Sequence, residues 1–306
     1  MLARYPVGAA GVRWGAAERA AWLARQSVKR SYQEEVIRHV ESLAADFDVV
    51  TYGALSHDEA RYPLFAVKTK DWDAAKPSVL VTGGVHGYET SGVQGALRFL
   101  QTKALSYKAH FNICVAPCVS PWAYETIQRW NPQAVDPNRS FWAEGAAEES
   151  LKLMAFVASL NVPRWTCHID LHETTDTDES EFSPAKAARD GVEFEPSEIP
   201  DGFYLVADVC NMQIEWQSAM IEAVRGVTHI APPDARGCII GEKVIREGVI
   251  VYDTRSLHLC SSVTNATFCT TTEVYPDSPA TTSEQCNQAQ VACVCGGLDY
   301  IISKPS

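Results

Sequence analysis

The chain has 306 residues, of which 46% are hydrophobic and 21% charged, and this composition is ordinary for a globular enzyme with one large domain. Its formal net charge of -12 at pH 7 would repel nucleic acids and anionic membrane surfaces, so we expect neither as a partner. The sequence shows no signal-peptide core and no apolar run of about eighteen residues, which favours a cytoplasmic location without a membrane span.

The predicted elements of the first half alternate between helices and strands. Helical spacing of apolar residues predicts one long surface helix over 15–45. Two short strands, 48–53 and 64–68, are expected to form a hairpin or an edge pair, and the uniformly apolar run 79–82 predicts a strand buried on both faces. The next predicted elements are a helix over 91–105, a strand over 111–117, a helix over 148–160 and a strand over 166–171.

The second half begins with a polar stretch, 174–199, which we interpret as a long loop near the functional site. The elements predicted after it are a helix over 212–224, strands over 249–252 and 267–274, and a closing helix over 281–302. The predicted fold is therefore α/β, with one domain over 1–306 and residues 1–60 as its N-terminal helical and edge-strand segment. We expect a mixed, mostly parallel twisted sheet of about eight strands with helices on both faces.

Ten cysteines are present, and no pair of them has a matching second pair at the spacing of a zinc finger. Several lie within predicted strands or on a helix face, so we expect buried free thiols rather than disulfides or metal ligands. Five examples are Cys114, Cys167, Cys269, Cys286 and Cys293.

Three side chains follow predicted strand ends, where α/β proteins place their ligands. His86 and Glu89 lie in the turn after the strand over 79–82, and His172 comes directly after the strand over 166–171. Two imidazoles and one carboxylate are the ligand set of a catalytic zinc ion, whose fourth position holds water. His168, four residues earlier on the same strand, is interpreted as a core histidine. The pattern predicts one zinc ion per chain and a hydrolase.

Four motifs in order, GGVHGYETSG, DPNRSF, DLHET and TTTEVYP, resemble the zinc metallocarboxypeptidases of the M14 type. The resemblance extends from Val79 to about Pro276. It implies the carboxypeptidase fold, zinc bound by the two histidines and Glu89, and Glu273 as the general base. It further implies that Asn138 and Arg139 bind the free carboxylate of a peptide substrate.

Two further roles are implied by the same resemblance. Asp136 would orient a zinc-binding histidine, and we expect this histidine to be His86. Arg129 would stabilise the oxyanion. Tyr252 is a weaker match to the tyrosine that covers the substrate. The residue that selects the substrate side chain would lie between Tyr252 and Glu273, where Asp253, Arg255 and His258 are all candidates.

The sequence also resembles the aspartoacylase and succinylglutamate desuccinylase branch, so an N-acyl amino acid deacylase is the first alternative. In that branch a sizeable β domain follows the base glutamate, whereas one helix-length segment follows Glu273, which favours the peptidase. A catalytically inactive binding protein of the same fold is the second alternative. A second metal ion would need further ligands such as Asp176 or Asp178, and we expect only one ion.

Overall fold

One mixed sheet dominates the computed structural model, which describes residues 5–304. The strands are β1 (Phe47–Ala54), β2 (Pro63–Thr69), β3 (Ser78–Gly83), β4 (Asn112–Ala116), β5 (Cys167–Leu171), β6 (Tyr204–Asp208), β7 (Cys238–Ile239), β8 (Glu242–Lys243), β9 (Val249–Tyr252) and β10 (Phe268–Glu273). Eight of them form the sheet in the order β1-β2-β4-β3-β5-β10-β6-β9, and β7 pairs with β8 separately. The central strands β4, β3, β5 and β10 are parallel, whereas β1, β2 and β6 add antiparallel pairings.

Helices cover both faces of the sheet. They are α1 (Ala16–Leu23), α2 (Arg38–Ser42), α3 (Thr90–Thr102), α4 (Ala104–Tyr107), α5 (Pro121–Thr126), α6 (Glu148–Ser159), α7 (Ser183–Asp190), α8 (Ile214–Arg225) and α9 (Ser283–Ser303). Alternate residues of each strand face opposite ways. Val79 and Val81 of β3 therefore belong to the core cluster that includes α3, α8 and α9, while Leu80 packs in the cluster that includes α6. The predicted single α/β domain is confirmed. The ends of the predicted range, 1–4 and 305–306, lie outside the described residues.

The long helix predicted over 15–45 is wrong. The chain forms α1, then an irregular stretch, then a π-helical turn at Gln33–Ile37 that continues into α2 and a short 3-10 turn at Leu43–Ala45. Tertiary contacts explain the interruption: the backbone N–H groups of Lys29 and Arg30 donate to the carbonyl of Glu125 instead of to a preceding turn. Bonds to a distant segment thus replace the helical ones, which local spacing cannot reveal.

Two further differences concern the second half of the chain. The stretch 174–199 is a loop only in part, because it contains a π-helical turn at Asp178–Phe182 and helix α7. Strand β6, in the apolar run that follows Gly202, was not predicted, although its five residues are all buried. The predicted edge pair, closing helix and remaining strands are present within a few residues of their expected bounds. In the described part of the chain, no helix is both long enough and apolar enough to cross a bilayer.

The cysteines follow the prediction for the most part. All ten are free, and eight of them are buried; Cys210 is exposed and Cys295 is half-buried. A buried thiol behaves as a small apolar side chain, so these residues contribute to packing.

Candidate metal centre

The first half of the candidate site is a tight turn between β3 and α3. Gly84 adopts a positive φ of 61°, which a residue with a Cβ atom rarely adopts. A Cβ atom at Gly87 would lie 2.0 Å from the backbone of Ala123, so this position accepts only glycine. The turn ends at Glu89, which is the N-cap residue of α3. His86 and Glu89 are thereby held side by side, and both are buried.

The second half comes from the neighbouring parallel strand. His172 follows the last residue of β5, and its backbone N–H donates to the carbonyl of Thr272 on β10. Because β3 and β5 are adjacent and parallel, their carboxyl ends meet at one edge of the sheet. One candidate ligand atom from each of His86, Glu89 and His172 lies within 4.8 Å of the other two. This is the one such cluster of three found within residues 5–304.

Each histidine is oriented by a carboxylate. Nε2 of His86 lies 2.9 Å from Oδ1 of Asp136, and Nε2 of His172 lies 2.7 Å from Oδ2 of Asp170. An ionised carboxylate only accepts hydrogen bonds, so both Nε2 atoms carry protons, and in the neutral rings both Nδ1 atoms carry lone pairs. The predicted contact between Asp136 and His86 is present. Asp170 was not predicted, although its place two residues before His172 on a strand was a usable signal.

The arrangement of these atoms fits a bound cation. Nδ1 of His86 lies 2.7 Å from Oε1 of Glu89, and Nδ1 of His172 lies 2.7 Å from Oε2 of Glu89. Despite that distance, the buried Oε2 atom has no partner with hydrogen-bond geometry among the described residues. Lone pairs that converge on one point in a buried site need a positive charge between them. A divalent metal ion satisfies this need, and the donor set of two nitrogens and a carboxylate suits zinc.

The electrostatics of the cluster favour an ionised Glu89. Burial by itself would raise the pKa of this carboxyl, but the neighbouring His172 and His86 lower it to about 2. Burial likewise opposes a charge on His172, yet Asp170 and Glu89 raise the pKa of this imidazole well above its usual value. The carboxylates around the two imidazoles therefore favour a positive charge between them, which either ring protons or a metal ion in their place can supply.

A cavity of about 220 Å³ opens beside the three candidate ligands. Its other lining residues are Tyr88, Arg129, Asn138, Arg139, Glu173, Thr174, Asp178, Ser197, Glu198, Ile199, Tyr204, Val206, Ile240, Tyr252, Leu259, Thr271 and Glu273. A larger cavity of about 810 Å³ lies between the N-terminal segment and α7, away from these side chains. The residues predicted to bind metal, to catalyse and to bind the substrate carboxylate thus line the smaller cavity, whereas Asp136 contacts His86 from outside this lining.

Glu273 is the last residue of β10 and faces the cavity. Its Oε2 atom accepts a hydrogen bond of 2.9 Å from the hydroxyl of Thr174, which in turn lies 2.8 Å from the hydroxyl of Tyr204. Burial raises the pKa of Glu273 to about 8, although the nearby His172 opposes this shift. A carboxylate whose pKa lies near neutrality can both accept and donate a proton at physiological pH.

Arg129 also lines the cavity, where its guanidinium contacts three side chains. Nε is 3.2 Å from Asp136, and Nη1 is 3.3 Å both from the hydroxyl of Tyr88 and from Oδ1 of Asp178. Asp178 belongs to the stretch interpreted as a loop, so an ion pair attaches this segment to the site. The contact of Asp178 with Arg129 was not predicted, since it depends on how that segment folds back.

Asn138 and Arg139 follow Asp136 in a single 3-10 turn, Pro137–Arg139. Oδ1 of Asn138 accepts a hydrogen bond from the backbone N–H of Cys260, which leaves the amide NH₂ group free to act as a donor. Arg139 is exposed and lines the cavity, so its guanidinium lies at the mouth. The pair therefore presents donors suited to a carboxylate at the entrance.

The three candidates for side-chain selection lie outside this cavity lining. Asp253 and Arg255 are exposed, and His258 is stacked on Trp142 with ring centroids 4.8 Å apart. The cavity lining instead includes apolar groups of Val206, Ile240, Leu259 and Thr271, together with Tyr252. Val206 and Thr271 face each other across the β6–β10 pairing, so the register of a strand that was not predicted decides this surface.

Comparison with known proteins agrees with the geometry. Residues 75–193 match a family model described as the succinylglutamate desuccinylase/aspartoacylase catalytic domain. This segment includes the three candidate ligands and the Asp136–Arg139 motif but not Glu273. A search of curated proteins finds no match.

Solved structures are similar over most of the chain. A predicted metallopeptidase from Shewanella amazonensis SB2B has a TM-score of 0.65 and 19% identity, with 90% of this chain and 98% of that chain covered. A metallo-carboxypeptidase from Burkholderia cenocepacia has a TM-score of 0.58 and 14% identity, with 95% and 70% covered. The metallo-carboxypeptidase from Pseudomonas aeruginosa in complex with (2-guanidinoethylmercapto)succinic acid also has a TM-score of 0.58 and 14% identity, with 88% and 69% covered.

At these identities the structural likeness establishes the fold. The predicted resemblance is confirmed in this form: the solved structures share the metallo-carboxypeptidase fold, and residues 75–193 match the succinylglutamate desuccinylase/aspartoacylase catalytic domain. Both groups are hydrolases, and the cluster of His86, Glu89 and His172 lies within the matched segment.

Proposed function

We propose that this protein is a zinc-dependent metallocarboxypeptidase, which hydrolyses the last peptide bond of a substrate with a free C-terminal carboxylate. One observation carries the proposal: three converging ligand atoms on His86, Glu89 and His172 share a cavity with Glu273 and with the donors of Arg139. The roles given to these residues below are part of the proposal.

The metal would be held by Nδ1 of both histidines and by the carboxylate of Glu89. When bound, zinc supplies a water molecule of lowered pKa and polarises the scissile carbonyl. Glu273, whose carboxyl lines the same cavity, would serve as the general base and then as the acid for the leaving amine. Arg129 would stabilise the developing oxyanion.

The substrate is recognised through its terminal carboxylate. The guanidinium of Arg139 and the free amide NH₂ of Asn138 are donors at the cavity entrance, and a planar guanidinium matches a carboxylate with two hydrogen bonds. The inhibitor in the Pseudomonas aeruginosa structure is a derivative of succinic acid, which supports a ligand that carries carboxylates.

One part of the cavity wall suits an apolar side chain. Val206 and Leu259 are almost fully buried and line the cavity together with Ile240. A charged substrate side chain would lose its hydration there without gaining a partner from these groups, which is costly. We therefore propose that the released residue carries an aliphatic or aromatic side chain.

The family match favours a second candidate function, an N-acyl amino acid deacylase, because the model that matches residues 75–193 describes the catalytic domain of such enzymes. The same metal, base and carboxylate-binding residues would serve both reactions. A catalytically inactive binding protein is the third candidate, and the presence of every expected ligand together with Glu273 argues against it.

A substrate panel distinguishes these functions. Purified protein loaded with zinc is incubated with blocked dipeptides that end in Leu, Phe, Lys, Arg or Glu, and with N-acetyl and N-succinyl amino acids. We expect release of Leu and Phe from the dipeptides. Hydrolysis confined to the acyl amino acids would establish the deacylase, and no hydrolysis by a zinc-loaded protein would leave only the binding function.

Metal analysis tests the site itself. We expect about one zinc ion per chain after dialysis, and His172→Ala should lose it. His229→Ala is a matched control, because His229 pairs with Asp201 at the surface, away from the cluster. Loss of zinc from the control variant alone, or a stoichiometry near zero in the wild-type protein, would contradict the proposed site.

A further inference from the structure

A chain of buried side chains runs from His172 into the interior of the sheet. Oδ2 of Asp170 lies 2.7 Å from Nε2 of His172, and Oδ1 of Asp170 lies 2.6 Å from the hydroxyl of Thr82. That hydroxyl is 3.1 Å from Nε2 of His168, whose Nδ1 is 3.4 Å from the hydroxyl of Thr264. His168, Thr82 and Asp170 have no exposed surface.

Strand register brings these groups together. Asp170 of β5 is paired with Thr82 of β3, and His168 is two residues earlier on the same strand, so all three side chains lie on one face. The chain therefore belongs to the rigid centre of the sheet rather than to a loop. The core interpretation of His168 holds for its burial but leaves out these contacts.

The proton positions along this chain of side chains follow from counting hydrogen-bond donors and acceptors. Asp170 is ionised and can only accept, so the single hydroxyl proton of Thr82 points at it. The oxygen of Thr82 is then an acceptor, and two donors face it: Nε2 of His168 at 3.1 Å and Sγ of Cys260 at 3.5 Å. Burial lowers the pKa of His168 to about 4, so its ring is neutral, and the tautomer with the proton on Nε2 is the one that donates to Thr82. Nδ1 can then accept from the hydroxyl of Thr264. The hydroxyl of Thr82 thus points at Asp170, which accepts the Nε2 proton of His172 from the other side.

We propose that His168 is a positioning residue for the metal centre: through Thr82 and Asp170 it holds His172 with its Nδ1 lone pair directed at the metal. The inference rests on the proposed metal site, which it deepens. A neighbour that only filled space would leave Thr82 free to turn its proton away from Asp170. The donated hydrogen bond removes that freedom, and partners of this kind raise the metal affinity of a histidine ligand.

The test measures zinc affinity in full-length variants by competition with a chromophoric chelator. His168→Leu and Thr82→Val each remove one link while retaining similar volume, and each is expected to weaken zinc binding about tenfold. His168→Gln keeps a donor near the position of Nε2 and is expected to stay within about threefold of the wild type. The visible spectrum of the cobalt-loaded protein should change in the Leu and Val variants and not in the Gln variant.

Ser261→Ala is the matched control. Ser261 is buried outside the cavity lining, its carbonyl oxygen contacts Sγ of Cys269 on β10, and its side-chain hydroxyl has no hydrogen-bond partner among the described residues. Its removal should leave zinc affinity unchanged. Urea unfolding of each metal-free variant shows that the protein compared is folded, and Thr82→Val serves alone if His168→Leu does not fold.

A double-mutant cycle completes the experiment. If His168 acts through Thr82, the variant carrying both changes should bind zinc no more weakly than Thr82→Val alone. Additive losses, or wild-type affinity in a folded His168→Leu or Thr82→Val variant, would overturn this inference and leave the proposed function intact. Failure of the wild-type protein to bind zinc would instead overturn both.

Discussion

The two halves of the metal centre orient their histidines through carboxylates that lie in different environments. In each half a carboxylate accepts the Nε2 proton of a histidine. Asp136 stands in a loop beside the cavity, where it also accepts from Nε of Arg129 and from the backbone N–H of Asn138. Asp170 stands inside the sheet, where its hydroxyl partner is Thr82. In one half the carboxylate has a cationic partner near solvent, and in the other it has a neutral hydroxyl partner in the interior.

The two environments differ in how well they tolerate the loss of a hydrogen-bond partner. A charged pair at the cavity edge can be rebuilt in several ways, because water and neighbouring side chains can replace a lost partner. Inside the sheet no replacement is available, so a mismatch there leaves a buried polar group unsatisfied. The half with His86 and Asp136, the cavity half, can therefore vary with the substrate. The half with His172 and Asp170, the sheet half, is constrained by the fold.

The largest expected effect is a loss of catalysis that leaves both halves of the metal centre intact. Glu273 orients neither histidine, so Glu273→Gln should keep about one zinc ion per chain while kcat falls about a thousandfold or more, since the base is lost. Steady-state kinetics with a zinc-loaded variant, beside metal analysis, measures both quantities. Turnover close to the wild-type rate would remove Glu273 from the proposed role.

The next effect concerns the charge on the cavity half. Arg129→Met should lower kcat about a hundredfold, because an oxyanion donor and the cationic partner of Asp136 are both removed. Raising the salt concentration from about 50 mM to about 500 mM should reduce the difference from wild type, since the guanidinium is partly exposed and salt screens its charge. The zinc affinity of Thr82→Val should not respond to salt in this way; an equal response would contradict the contrast between the two halves.

A direct comparison of the two carboxylates comes third. Asp170→Asn should weaken zinc binding about a hundredfold and Asp136→Asn about tenfold, a span that covers the usual cost of losing such a partner. The buried amide NH₂ of the first variant would meet the hydroxyl of Thr82 with no water to adapt, whereas the second lies beside the cavity. Competition titrations measure the zinc dissociation constants of both variants. A larger loss of affinity in Asp136→Asn than in Asp170→Asn would contradict the comparison.

The smallest expected effect on catalysis comes from a buried acid behind the cavity half. Glu149 contacts the hydroxyl of Ser120, which donates to the carbonyl of Val85, next to His86. Burial raises the pKa of Glu149 from 4.5 to about 7. A folded-state pKa above the unfolded value means that its contribution to stability is complete below about pH 4.5 and is lost as the pH rises through 7.

Glu149→Gln should therefore gain stability relative to the wild type between pH 5 and pH 8, by up to roughly 3 kcal/mol, with kcat nearly unchanged. The matched control is Glu148→Gln. Lys152 and Ser56 lower the pKa of the Glu148 carboxyl despite its burial, so this variant should show no such gain in stability. Urea unfolding of the metal-free proteins at both pH values measures the difference. A pH-independent difference for Glu149→Gln would show that its carboxyl titrates normally.

Much of the candidate site could be predicted because its signals are local. His86 and Glu89 are three residues apart after a buried strand, and Asp136, Asn138 and Arg139 form one short motif. Asp170 also lay within reach of the sequence, since residues two apart on a strand share a face. The contact of Asp178 with Arg129 could not be predicted, because it depends on the folding back of a segment whose own helices were not predicted.

The sequence by itself determined the alternation of strands and helices, the polar residues at strand ends and the donor set that suits a metal ion, because each depends on periodicity or spacing along the chain. Tertiary structure alone decided which side chains are neighbours. It placed Thr82 beside Asp170, and it brought together the apolar groups that line the cavity. It also interrupted the predicted N-terminal helix, where Glu125 takes the hydrogen bonds of Lys29 and Arg30. Pairing between distant segments follows from the packing of the whole sheet, which no local pattern encodes.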